Sequence, residues 1–170
     1  VLTAGVTPKI DLSTWTLRFT GLVEGPLELT HTQFLALPRK RVSADFHCVT
    51  GWSRLDNEWE GVGFRELMGR VRPKPEARYV MVLCYGGYTT NLPLEALLDD
   101  DTLLALRHNG EDLTPEHGWP LRLVVPKRYS WKSAKWVREF DFMDEDEPGF
   151  WEVRGYHNDG DPWREERLSY

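Results

Sequence analysis

The chain has 170 residues, 41% of them hydrophobic, and a formal charge of −6 at neutral pH. That length favours one domain with a sizeable core, and the acidic balance argues against general nucleic-acid affinity. No stretch is apolar for the length a membrane span needs, and two cysteines, Cys48 and Cys84, make neither a disulfide framework nor a Cys-x-x-Cys zinc pair.

Taken in order, residues 15–20 alternate large and polar side chains and predict a strand, which turns at 21–25 and resumes at 26–29. Thr30 predicts the cap of a short helix carrying Phe34, Leu35 and Leu37, ended by Pro38. Residues 40–48 predict a strand that runs into the Cys48 loop, and 59–62 a short extended piece. Phe64, Leu67, Met68 and Val71 fall at helical spacing. Residues 79–84 form an apolar run of strand length that predicts burial on both faces. Gly86-Gly87-Tyr88-Thr89-Thr90 lacks phosphate-loop spacing and reads as a turn. Residues 93–98 predict a short helix. Asn109-Gly110 predicts a hairpin within 103–113. Residues 121–125 and 136–142 predict two more strands. Strands outnumber short helices, so the expected class is α+β with β-rich mixed sheets. The aromatics after Gly149 predict a tail packed on the domain.

Two segments carry chemistry. Cys48 alone reads first as a small buried hydrophobe. Its place where a strand gives way to Gly51-Trp52-Ser53 favours function instead, as a soft metal ligand or a nucleophile. A nucleophile would need a base, and an extended chain turns the His47 side chain to the opposite face. The second segment holds Arg122, Lys127, Arg128, Lys132, Lys135 and Arg138 with no acid between them. A charge run is usually a solvated face. Here Tyr129, Ser130 and Ser133 interleave with the cations, and the run lies between two strands, which favours a phosphate site. His117 stands just upstream, as a cofactor contact or a turn residue. Arg54 lies close enough to Cys48 in sequence to meet a substrate anion.

With these residues in view, the chain resembles the sulfite oxidase-type molybdopterin domain. The likeness runs in order through His47 to Ser53 (HCVTGWS), Trp59 to Val62 (WEGV), Tyr88 to Leu94 (YTTNLPL), Pro120 to Pro126 (PLRLVVP) and Tyr129 to Val137 (YSWKSAKWV). It is nearest in kind to small bacterial sulfite oxidase-like oxidoreductases related to the catalytic subunit of periplasmic methionine sulfoxide reductase. The resemblance covers about residues 8–163 and implies a single molybdopterin-binding domain over 1–170.

It further implies a mononuclear molybdenum bound to a pterin dithiolene and to the Cys48 thiolate, which is then both catalytic residue and metal ligand. The cofactor contacts it implies fall on Cys84, His117, Arg122, Ser133, Ala134 and Lys135. Lys132, within the same run, joins them as an expected phosphate anchor, and His47 beside the ligand joins them as well. Cys84 is expected at a strand exit near the cofactor and not bridged to Cys48. The family's sulfite-holding arginine set has no match here. Nor does its haem domain or its immunoglobulin-like domain, so no haem is expected. Electrons would pass to or from a separate protein or a quinone pool.

The expected activity is oxygen-atom transfer on a small substrate such as sulfite, a sulfoxide or an N-oxide. The alternative is a cofactor-free binding or scaffold module that retains the fold, and a cysteine hydrolase stands third. No leader opens the chain at Val1, which favours a cytoplasmic location, or a periplasmic one if a leader was removed upstream.

Overall fold

The computed structural model describes residues 7–47, 53–127 and 132–147, apart from the side chains of 45–47 and 53–56. Cys48 and the aromatic tail therefore lie outside the described residues. Among the described residues, one mixed sheet, one antiparallel sheet and three short α-helices make up the fold, the β-rich α+β class expected.

The first sheet is built from β1 (Thr16–Gly21), β2 (Leu27–Thr30), β5 (Tyr79–Cys84), β6 (Thr89–Pro93) and β10 (Val137–Met143), in the order β2-β1-β10-β5-β6. Only β1 and β10 run parallel; the other neighbours are antiparallel. The second sheet is built from β3 (Lys40–His47), β4 (Ser53–Gly63), β7 (Leu103–His108), β8 (Glu111–Asp112) and β9 (Arg122–Val124), with β8 and β9 both paired to β7.

Local chemistry explains the short helices. In α1 (His31–Leu35) the Thr30 hydroxyl accepts from the Gln33 amide while the Gln33 side chain accepts from the Thr30 amide, a reciprocal capping box. In α2 (Phe64–Val71) the buried stripe is Phe64, Leu67 and Val71, and the helix stops at Arg72 in a left-handed conformation, φ 48°. Pro93 precedes α3 (Leu94–Leu97). Asn109 and Gly110, at φ 50° and 81°, make the hairpin turn between β7 and β8.

The main core gathers Phe19, Phe64, Phe140 and Phe142 with the aliphatic residues between the sheets. Phe19 and Phe140 stack at 5.3 Å, and Phe64 meets Phe140 edge-on at 5.0 Å. A smaller cluster of Val42, Trp59, Leu103, Ala105, Leu113 and Val124 covers the other face of the second sheet. Because successive strand residues alternate faces, Leu121 and Leu123 enter the main core while Val124 enters the smaller cluster.

The structure corrects three expectations. β5 is not buried on both faces: Val80, Val82 and Cys84 are buried, while Tyr79, Met81 and Leu83 are half-exposed. An antiparallel strand needs only one face in the core. The predicted turn at 86–90 ends early. Gly86 and Gly87 make the turn with φ near 85°, but Thr89 already opens β6. The extended piece at 59–62 is the end of an eleven-residue strand, β4.

Candidate cofactor site

The site forms where the two sheets meet. Residues 133–136 run beside β9 before the chain enters β10 in the other sheet. The Leu123 amide donates to the Ala134 carbonyl (2.8 Å), the Val137 amide to the Leu121 carbonyl (3.1 Å), and the Val125 amide to Ser133 Oγ (2.9 Å). Ser133 and Ala134 are thus fixed by β9 backbone and are each 2% exposed.

Strand alternation places Arg122 on the face of Val124, over the smaller cluster. Its guanidinium carbon lies 5.2 Å from the centroid of Trp59 on β4. Nη1 donates to the His117 carbonyl (3.2 Å) and Nη2 to the Ser133 carbonyl (3.1 Å). Burial pushes its pKa down to about 10, with Tyr88 acting the other way, so it stays charged at neutral pH.

Lys135 and His117 complete a cationic corner. The Lys135 ammonium donates to the Glu116 carbonyl (3.1 Å) and sits 4.9 Å above the Trp136 ring. Burial, and then the charge of Arg122, push its pKa down to about 8. His117 ends a 3₁₀ turn, Pro115–His117, and its Nδ1 bonds Thr114 Oγ1 at 2.7 Å. Partial burial, then Arg122 and Lys135, hold its pKa below the ordinary value. Gly118 closes the turn at φ 111°. A Cβ there would stand 2.9 Å from Arg122 Cβ and 3.1 Å from Lys135 Cγ, so glycine is what lets the turn come down onto both cations.

The other expected residues divide. Lys132 is fully buried, and its ammonium donates to the main-chain carbonyl (2.7 Å) and the side-chain Oδ1 (3.2 Å) of Asn91 on β6. Asn91 Nδ2 in turn donates to Asp146. Lys127 is drawn to Asp99 at 3.2 Å. Cys84 does end β5 and is a free thiol, but it is 2% exposed within the main core, and burial drives its pKa far up. His47 is the last residue of β3, with its side chain outside the described set. Among the described residues, no group of three or more His, Cys, Asp or Glu could hold a metal ion. Sequence reading missed Trp59, Tyr88, Gly118 and Trp136 as parts of the corner. Trp59, Tyr88 and Trp136 carried a signal, as members of the WEGV, YTTNLPL and YSWKSAKWV motifs; Gly118 became visible only through contacts made by folding.

An anionic group fits this corner. Arg122 is buried and Lys135 and His117 are partly desolvated; the Arg122 charge opposes those of Lys135 and His117, and the Lys135 charge opposes that of His117, the electrostatic condition that a phosphate relieves. Residues 4–151 match the family model described as the oxidoreductase molybdopterin binding domain. This chain belongs to that family, and it is a molybdopterin-type oxidoreductase.

It is 50% identical over 160 residues to the uncharacterized oxidoreductase YuiH of Bacillus subtilis, covering 94% of this chain and 81% of the relative. It is 32% identical over 156 residues to the protein-methionine-sulfoxide reductase catalytic subunit MsrP of Gluconobacter oxydans, covering 81% of this chain and 49% of that one. Among solved structures, the sulfane dehydrogenase SoxCD of Paracoccus pantotrophus superposes with a TM-score of 0.74 at 28% identity, over 82% of this chain and 40% of that one. The chain thus spans about half or less of the length of the latter two relatives. The likeness to SoxCD agrees with the mixed-sheet, sulfite oxidase-type fold.

Proposed function

We propose that this chain, as one domain, binds a mononuclear molybdenum–molybdopterin cofactor and transfers an oxygen atom to or from a small substrate such as sulfite, a sulfoxide or an N-oxide. The observation that carries the cofactor half is the Arg122–Lys135–His117 corner beneath Gly118. The protein-methionine-sulfoxide reductase and sulfane dehydrogenase names of its relatives favour sulfur-containing substrates.

When bound, the cofactor supplies two-electron redox chemistry and the transferable oxygen. The protein supplies binding and electrostatics. Arg122 and Lys135 would hold the pterin phosphate by charge-assisted hydrogen bonds. The 133–135 backbone, fixed by hydrogen bonds to residues 121–125, would present Lys135 to that phosphate, and His117 would add a polar contact. Cys48 would give its thiolate to the metal, tuning it as a soft ligand. Lys132 keeps the segment seated through Asn91, and Cys84 stays in the core. A separate protein or a quinone pool would exchange the electrons. Among the described residues, no helix is long and apolar enough to cross a membrane.

Molybdenum and pterin content of the purified protein, assayed together with oxygen transfer from an artificial donor, tests this reading. Wild type should carry both components and turn over, while Cys48→Ser should fold and lose activity. Full activity in Cys48→Ser, or wild type free of pterin after expression with cofactor supply, sinks the proposal.

A further inference from the structure

Trp136 has no role in the reading above, yet it holds an unusual backbone. Its φ is 56°, in the left-handed region that a bulky side chain seldom occupies. The surroundings hold it there. Its carbonyl accepts from the Tyr85 amide (2.8 Å), and the amide of the next residue, Val137, is bound to Leu121 (3.1 Å). The indole is 5% exposed, and its Nε1 donates to the Pro115 carbonyl at 2.7 Å.

In an extended strand, neighbouring side chains point to opposite faces. Lys135 and Trp136 would then never meet. The left-handed residue breaks that alternation, and the Lys135 ammonium comes to lie 4.9 Å from the centre of its neighbour's ring. Among the described residues, no salt bridge forms at Lys135. The indole face and the Glu116 carbonyl are what its half-buried charge meets. The same indole ties the turn that carries Glu116. Pro115, Glu116 and His117 present consecutive carbonyls, bound in turn by Trp136, Lys135 and Arg122.

We propose that Trp136 is a positioning residue: its left-handed backbone and its indole aim the Lys135 ammonium at the anionic group of the cofactor and fix the 115–117 turn beside it. This rests on the cofactor reading of Lys135.

A double-mutant cycle on the cofactor-loaded protein tests it, with pterin retention through dialysis as the readout. Trp136→Leu and Lys135→Met should each weaken retention by ~10-fold or more. The double variant should lose clearly less than the sum of the two single losses, because the tryptophan acts largely through the lysine. Trp136→Phe, which keeps a ring face but drops the N–H, should fall between Trp136→Leu and wild type and guards against a leucine variant that fails to fold. A second measurement needs no Trp136 variant. In the cofactor-free wild type, the Lys135 ε-methylene protons, assigned by their loss in Lys135→Met, should be shifted upfield by the indole ring current.

Additive losses in the cycle would mean that Trp136 merely packs, and would overturn the inference. An unshifted Lys135 resonance overturns it too. If Lys135→Met retains pterin as wild type does, the cofactor reading of Lys135 falls, and this inference with it. If Lys135→Met loses pterin while both Trp136 variants keep it, only the positioning role falls.

Discussion

Lys132 and Lys135 stand three residues apart in one basic run, and the fold gives them different work. Lys132 is fully buried with its ammonium on the two oxygens of Asn91. Lys135 is half-buried beside Arg122, and burial first, then the Arg122 charge, resist its own charge. The first has fixed acceptors that compensate its burial. The second keeps a cost that an incoming anion would remove. A run of cations in sequence is therefore no measure of a phosphate site. What separates anchor from ligand is whether the fold already supplies the counter-dipole.

The largest expected effect breaks the comparison on the Lys132 side. Lys132→Met removes both hydrogen bonds to Asn91 and should lower unfolding free energy by about 3 kcal/mol. Urea midpoints of cofactor-free protein would show it. A midpoint equal to that of wild type would return Lys132 to the list of phosphate anchors.

Lys135→Met should do the reverse. Cofactor-free stability should stay within about 0.5 kcal/mol of wild type. Pterin retention should fall by about 1.5–3 kcal/mol, roughly ten- to a hundred-fold, for the lost charge-assisted bond. Loss of stability with unchanged retention would make the two lysines alike and remove the contrast.

Glycines sharpen the point at smaller cost. Gly110 and Gly118 both hold positive φ, at 81° and 111°. A Cβ on Gly110 meets nothing within 4 Å, whereas one on Gly118 meets Arg122 and Lys135. Alanine at either site should cost about 1 kcal/mol of stability through the backbone. Only Gly118→Ala should also loosen pterin, measured by the same dialysis. If Gly110→Ala loosens it equally, the corner is not what senses the change.

The difference between these regions also marks what sequence could convey. Elements specified by neighbouring residues were legible: the Thr30 helix cap, the apolar stripe of α2 and the Asn109-Gly110 turn. So was the family, because five short motifs in order survive without any knowledge of contacts. Partners distant in the chain were not legible. Lys132 and Asn91 are 41 residues apart, and nothing local separates that buried cation from a solvated one. Thr89 and Thr90 were read as the end of the turn that begins at Gly86-Gly87, though they open β6, where Thr90, Asn91 and Leu92 are buried. Cys84 matched a family position loosely, and the fold puts its thiol in the core. The left-handed Trp136 left no trace in composition, since nothing in the local sequence demands it.

The smallest effect concerns pH, because water screens a half-exposed ammonium. In the cofactor-free fold, Lys135 titrates near pH 8, below its ordinary 10.5. Below pH 8 both folded and unfolded chains carry the charge, and the fold bears its full cost. Between about 8 and 10.5 the unfolded chain holds a proton that the folded one has released, so stability rises with pH across that window. Wild type should therefore gain stability relative to Lys135→Met from pH 8 to 10.5, and Lys132→Met should show the same gain. Bound phosphate reverses the preference by favouring the ammonium, so pterin loading takes up a proton above pH 8 and retention weakens as pH rises through the window. Stability curves for wild type and Lys135→Met that stay parallel from pH 7 to 10.5 would show that the corner does not depress Lys135, and that the contrast between the two lysines is one of burial alone.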